Sequence, residues 1–179
     1  MKPFRFQQFD IQQNADVFRV GTDAVLLGAL ANVSKAKNVL EIGTGTGIVS
    51  LMIAQRNLEA KILAIDINSE AVNISQANFS NSPFSDRIKS QLQDLKNFET
   101  EEKFDLIISN PPYFDDFSKI RDPHESRHQA YVIGAPLLNW IKAMIRLVKS
   151  NGRLLLIHRA DRMYDIIDAL QNRAGDIRI

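Results

Sequence analysis

The chain has 179 residues, 45% of them hydrophobic and 24% charged, with a formal net charge of +1 and no cysteine. That composition is ordinary for one globular domain, and it excludes disulfides and thiolate metal sites. No apolar run approaches the ~18 residues of a membrane span, and MKPFRFQQFD lacks the apolar core of an export signal, so a cytoplasmic setting is expected.

In chain order, FRFQQFDI places aromatics at alternate positions and predicts a short strand. QQNAD reads as a turn, with VFRV returning as the second strand of a hairpin. Thr22 is expected to cap the apolar helix AVLLGALA. From Asn38 onward strands and helices alternate: NVLEI, then the helix GIVSLMIAQ; KILAIDI, then SEAVNISQANF, capped by Ser69 and stopped near Pro83. RIKSQLQ and the buried run FDLIIS follow as strands, then a loop over roughly 111–134. PLLNWIKAMIRLV predicts a helix with Pro136 in its first turn and Asn151-Gly152 as its stop. RLLLIH is a strand, Asp161 is expected to cap a helix bearing Met163, Ile166, Ile167 and Leu170, and DIRI begins one more strand.

This alternation implies an α/β fold with a doubly wound, mostly parallel sheet. In such sheets ligands bind beyond the carboxyl ends of the strands. The first strand end is Glu41-Ile42-Gly43-Thr44-Gly45-Thr46-Gly47. Alternate glycines let the backbone turn sharply and approach a ligand closely. The dinucleotide pattern G-x-G-x-x-G fails here, and no G-K-[ST] is present, which excludes a P-loop. The second strand ends at Asp66, whose carboxylate can accept two hydrogen bonds from a ribose diol. Asp94 follows the third and can accept from an adenine amino group; alone it would read as a turn aspartate. The fourth strand runs into Asn110-Pro111-Pro112-Tyr113. Two prolines end a strand and remove two backbone donors.

Together EIGTGTG, Asp66, Asp94 and NPPY resemble the class I S-adenosylmethionine-dependent methyltransferases, from Val39 to the last strand. The resemblance implies a Rossmann-like sheet whose seventh strand lies antiparallel between the fifth and sixth. It implies that Glu41, Gly43, Gly45, Gly47, Asp66, Asp94 and Asn110 form the cofactor site. NPPY resembles the motif of enzymes that methylate a planar amine: adenine N6, guanine N2 or a glutamine amide. Such a nitrogen is a poor nucleophile because its lone pair is delocalised. The Asn110 side-chain oxygen and the Pro111 carbonyl can accept its two N–H bonds and favour charge building on nitrogen. Pro112 helps fix the carbonyl directions, and Tyr113 can stack on a base.

The opening segment narrows the choice. Phe4, Phe6, Gln8 and Phe9, then Val20, Gly21, Thr22, Asp23 and Leu26–Ala29, resemble the start of the bacterial tRNA (adenine-N6)-methyltransferases that modify adenine 37 of a valine tRNA. The resemblance implies a tRNA substrate, with Thr22 either touching the cofactor or simply starting its helix. The loop after NPPY carries Arg121, His124, Arg127, His128 and Tyr131. Cations with an aromatic suit an RNA backbone and a splayed base, so Arg121, Arg127 and His128 are assigned to RNA. His124 and His128 have no evident third ligand, so no metal is expected. Residues 1–118 carry 11 Lys+Arg against 15 Asp+Glu, and residues 119–179 carry 11 against 6. That basic surplus can attract phosphate or simply face solvent. The expected organisation is one methyltransferase domain over 1–179, with a hairpin and helix at 1–37 and a cofactor-binding core at 38–179. The core is expected to be C-terminally truncated and to lack the last strand or strands, leaving RLLLI at an edge and DIRI undocked. The rival readings are a guanine-N2 RNA methyltransferase, a DNA adenine enzyme, and a catalytically silent cofactor- or RNA-binding module.

Overall fold

The computed structural model describes residues 2–15, 17, 19–111 and 137–179. Strands β1 (Phe4–Arg5) and β2 (Asp10–Ile11) pair antiparallel, with Phe4 opposite Ile11. The hairpin therefore lies inside FRFQQFDI, and VFRV is not its second limb. The Phe6 amide donates to the Phe9 carbonyl at 2.9 Å, and the two rings stack 4.7 Å apart. The alternating aromatics thus mark two sides of a turn. Val17 and Val20 donate their amides to the Asn14 and Gln13 side chains, so local polar groups replace a strand ladder there.

Helix α1 (Thr22–Leu30) follows, with Gly21 in the cap position and no side-chain cap; Thr22 is already helical. Then come β3 (Asn38–Ile42), α2 (Ile48–Arg56), β4 (Lys61–Asp66), α3 (Ser69–Ser80), β5 (Ile88–Leu92) and β6 (Phe104–Ser109). Asn68, not Ser69, caps α3: its side-chain oxygen accepts the Glu70 amide at 2.9 Å, the usual reach of a capping carbonyl. Helix α4 spans Leu137–Leu147 and leads directly into β7 (Val148–Leu156). Asn151-Gly152 is therefore no helix stop but lies within β7. There the register slips: Val148 pairs with Phe104, and Arg153 with Leu106. Gly152 is needed because a Cβ would meet Val148 Cγ2 at 2.6 Å and the Phe104 carbonyl oxygen at 2.9 Å. Helix α5 (Met163–Leu170) follows a 3-10 turn over Ala160–Arg162. Asp161 does not cap it; its carboxylate pairs with Arg159, and Arg162 takes the cap position. Asp176–Ile179 forms no strand.

Among the described residues the large sheet has the order β5-β4-β3-β6-β7, every pair parallel, with β7 at an edge. The chain winds outward from β3 to β5, then returns to place β6 on the other side of β3. The order reverses between β3 and β6, and this is where doubly wound sheets open a ligand crevice. Alternate residues of the strands feed two cores. Val39, Ile62 and Ala64 pack with α2, while Leu40, Ile42 and Ile65 pack with Met144 and Leu147 of α4. Burial on both faces explains the nearly continuous apolar runs of β3, β4 and β6.

Candidate functional site

The site begins where β3 ends. The amides of Gly43 and Thr44 both donate to the Ile65 carbonyl, at 2.9 and 3.2 Å, and the Gly47 amide donates to the Thr44 carbonyl at 2.8 Å. This tight path needs φ of +76°, +54° and +82° at Gly43, Gly45 and Gly47, values that disfavour any side chain. The three glycines serve two purposes. Among the described residues a Cβ on Gly43 or Gly45 would meet nothing within 4 Å, so their backbone is bare on that side. A Cβ on Gly47 would run into the Phe79 ring, with Cζ at 2.8 Å, so this glycine lets α3 approach the loop.

Two carboxylates hold the loop. Glu41 is buried on β3 and accepts hydrogen bonds from Thr44 Oγ1 (2.9 Å) and Ser50 Oγ. Burial pushes its pKa up to about 7; the Ser50 and Thr44 hydroxyls oppose that rise and the Asp66 charge adds to it. Asp66, at the tip of β4, accepts from the Gly45 amide and the Asn68 amide, both at 3.0 Å. Burial raises its pKa as well, against the amides of Asn68, Gly45 and Ile67. An ionised carboxylate has roughly four acceptor positions, so Asp66 keeps capacity for a ligand after these contacts.

The third and fourth strand tips come to the same end of the sheet. The Gln93 amide donates to the Asp66 carbonyl at 2.8 Å, and Asp94 caps the 3-10 turn Leu95–Asn97 through the Lys96 amide. Ser109 pairs in register with Ile42, and its hydroxyl donates to the Ile42 carbonyl at 2.8 Å. Gly43 and Asn110 therefore each follow directly on one member of a bonded pair. Pro111, the next residue, is buried. Thr22 is exposed at the start of α1, which packs on α2 where Gly28 meets Met52. Thus the structure gathers Gly43, Gly45, Gly47, Asp66, Asp94, Asn110 and Pro111 at one sheet end, with Glu41 beneath the loop. Pro112, Tyr113, Arg121, Arg127 and His128 lie outside the described residues, as do His124 and Tyr131.

The sequence by itself does not single out Ser50, Asn78 or Ser109, though two of them carry a signal there. The buried stripe of α3 is Ala71, Ser75, Asn78 and Phe79, and an amide on such a stripe has a bonding task. Ser50 lies on the buried face of α2 in the same way. Among the described residues no group of three or more His, Asp or Glu could hold a metal, and no helix is long and apolar enough to cross a membrane.

A bare glycine loop and an acidic strand tip at the switch point of a parallel sheet define a Rossmann-like domain of the methyltransferase type. The chain belongs to the methyltransferase small domain family, whose model matches residues 13–176. It is 60% identical over 115 residues to a protein of Flavobacteriaceae bacterium (strain 3519-10) named tRNA1(Val) (adenine(37)-N6)-methyltransferase, covering 64% of this chain and 50% of that one. A Bacteroides thetaiotaomicron protein of the same name is 40% identical over 179 residues, covering 98% of this chain and 73% of its own. The chain thus spans about half the length of the first relative and nearly three quarters of the second. Among solved structures, a ribosomal protein L11 methylase from Lactobacillus delbrueckii subsp. bulgaricus has a TM-score of 0.60 at 23% identity, over 88% of this chain and 69% of that one. A predicted O-methyltransferase from Agrobacterium tumefaciens has a TM-score of 0.64 at 23% identity, over 84% and 67%. Likeness at that identity concerns the fold alone.

Proposed function

We propose that this chain uses S-adenosylmethionine to methylate an exocyclic amine, adenine N6 in tRNA. The observation that carries the reading is the bonded pair Ile42–Ser109, which sets the glycine loop and Asn110 side by side at the switch point. The residues fit the cofactor. Gly43 and Gly45 offer bare backbone where its amino acid and sugar would pack. The remaining acceptor positions of Asp66 suit the ribose diol, and Asp94 stands one strand further on for the adenine amino group. S-adenosylmethionine, when bound, supplies an electrophilic methyl on a sulfonium. The chain's own part is to position the amine. Asn110 Oδ1 and the Pro111 carbonyl accept its two N–H bonds, which turns the lone pair toward the methyl and favours the positive charge that grows on nitrogen. Pro112 fixes the carbonyl direction, Tyr113 stacks on the base, and Arg121, Arg127 and His128 meet the phosphates.

The names of the relatives support adenine N6 over guanine N2, and a tRNA substrate implies work in the cytoplasm. The test is transfer of a tritiated methyl from the cofactor into bulk tRNA lacking the modification, followed by nucleoside mass spectrometry. N6-methyladenosine is expected. N2-methylguanosine would replace the substrate reading, and cofactor binding with no label in any RNA would leave a silent binding module.

A further inference from the structure

One side chain outside the proposed catalytic set ties the amino-terminal arm to the glycine loop. Asn78 is 1% exposed on the inner face of α3. Its Oδ1 accepts the Gln12 amide at 2.8 Å. Its Nδ2 donates to the Gln12 carbonyl at 3.1 Å and to the Thr46 carbonyl at 2.9 Å. Both amide hydrogens are used, and the acceptor is engaged. Rotating the amide by half a turn would set its oxygen against two carbonyls, so only one orientation satisfies the contacts. Gln12 is held through its backbone at both the donor and the acceptor, as a neighbouring strand would hold it. The next residue extends the link. Gln13 Oε1 accepts the Val20 amide at 2.9 Å, and Val20 leads through Gly21 into Thr22 and α1. The same face of α3 supports the loop beside Thr46, where Phe79 and Ser75 crowd the Cβ position of Gly47.

We propose that Asn78 is a positioning residue that makes the arm at Gln12–Gln13 and the glycine loop one unit, so that the loop is preorganised for the cofactor only while the arm is docked. This rests on the methyltransferase reading for what the loop binds. The physical reason is that Thr46 is the turn of the loop between Gly45 and Gly47, and among the described residues its buried carbonyl takes its side-chain amide donor from Asn78 in this orientation. That orientation is fixed by Gln12. Undocking the arm frees the amide to rotate and leaves a buried carbonyl under-satisfied, which is costly. Order therefore passes between the arm and the loop through Asn78.

Three measurements test it. Calorimetry with S-adenosylhomocysteine should show Asn78→Ala binding about tenfold more weakly than wild type, a loss of about 1.4 kcal/mol. Turnover at saturating cofactor should change by less than about threefold, since the amine contacts are intact. Asn57→Ala is the control for general destabilisation. Asn57 makes four bonds, one more than Asn78, to the Val33 and Ala36 carbonyls and the Glu59 and Ala60 amides, at the opposite end of α2. It should lower stability yet leave cofactor affinity within about twofold. Hydrogen exchange without cofactor should show the arm and residues 43–47 loosening together in Asn78→Ala and not in Asn57→Ala. In wild type, S-adenosylhomocysteine should protect the amides around Gln12 as well as the loop, a readout that needs no variant to fold. Wild-type affinity in Asn78→Ala, equal losses in both variants, or an arm that exchanges independently of the loop would overturn the proposal. A wild type that ignores the ligand while arm and loop still loosen together would instead remove the cofactor reading and keep the link.

Discussion

Ser109 decides where Asn110 stands, because its hydroxyl is bonded to the Ile42 carbonyl one residue before the glycine loop. On the proposed role, Asn110→Ala should lower single-turnover methyl transfer by about 10²–10³-fold and leave cofactor affinity within about twofold, since its bonds go to the amine. Near-normal turnover would remove Asn110 from the reaction. Asp66→Ala should behave oppositely and weaken S-adenosylhomocysteine by at least about tenfold, because it removes both the proposed ribose acceptor and the anchor of the Gly45 amide. Equal affinity by calorimetry would take Asp66 out of the site. Glu41 gives a stability prediction. Its folded pKa is raised to about 7 from an ordinary value of 4.5. Below about pH 4.5 it is protonated in both states and costs nothing. Between about 4.5 and 7 the unfolded chain releases the proton first, so stability falls as pH rises; above about 7 the loss is complete. Glu41→Gln keeps an oxygen for Thr44 and Ser50 and carries no charge. Its melting temperature should match wild type near pH 4 and exceed it at pH 8. An unchanged difference between the two across that range would show that Glu41 is not protonated on folding.

At the scale of elements, the places where the sequence misleads are turns and ends. Ser69 and Thr22 are good caps by residue type, yet Asn68 and Gly21 take those positions, one residue earlier. A cap is decided by where the backbone leaves the helix, and residue preference alone fixes that to within a residue or two. Asn151-Gly152 has the composition of a stop, yet β7 continues through it because β6 supplies a ladder that tolerates the slip in register. That tolerance depends on Gly152, so Gly152→Ala should destabilise by about 1–3 kcal/mol through overpacking against backbone oxygens. The check is urea unfolding, with the midpoint lower and the slope unchanged. A wild-type midpoint would mean that the bulge yields freely.

At the scale of the molecule, the excess of basic residues over 119–179 can be tested for contact with the proposed RNA substrate. If that surplus meets phosphates, the log of tRNA affinity should fall linearly with log salt, by roughly 0.7–0.9 for each phosphate neutralised. Salt-independent binding would assign the charge to a merely solvated surface. The order of strands and helices was legible in the sequence because parallel strands bury both faces: NVLEI, KILAI and FDLII carry that burial as apolar runs. The strand tips were legible for the same reason, since Gly43, Asp66 and Asn110 each stand where such a run stops. The glycine spacing also showed where glycine was needed, but not that, among the described residues, Gly43 and Gly45 stand bare while Gly47 makes room for Phe79. Only the tertiary structure decided the acidity of Glu41, which depends on being sealed beneath the loop with Ser50. Only it joined Ser109 to Ile42, and Asn78 to Gln12, across more than sixty residues of chain. The reason is physical. Periodicity and turn chemistry are set by a residue's near neighbours, whereas a buried hydrogen bond between distant residues exists only once the sheet has brought its two ends together.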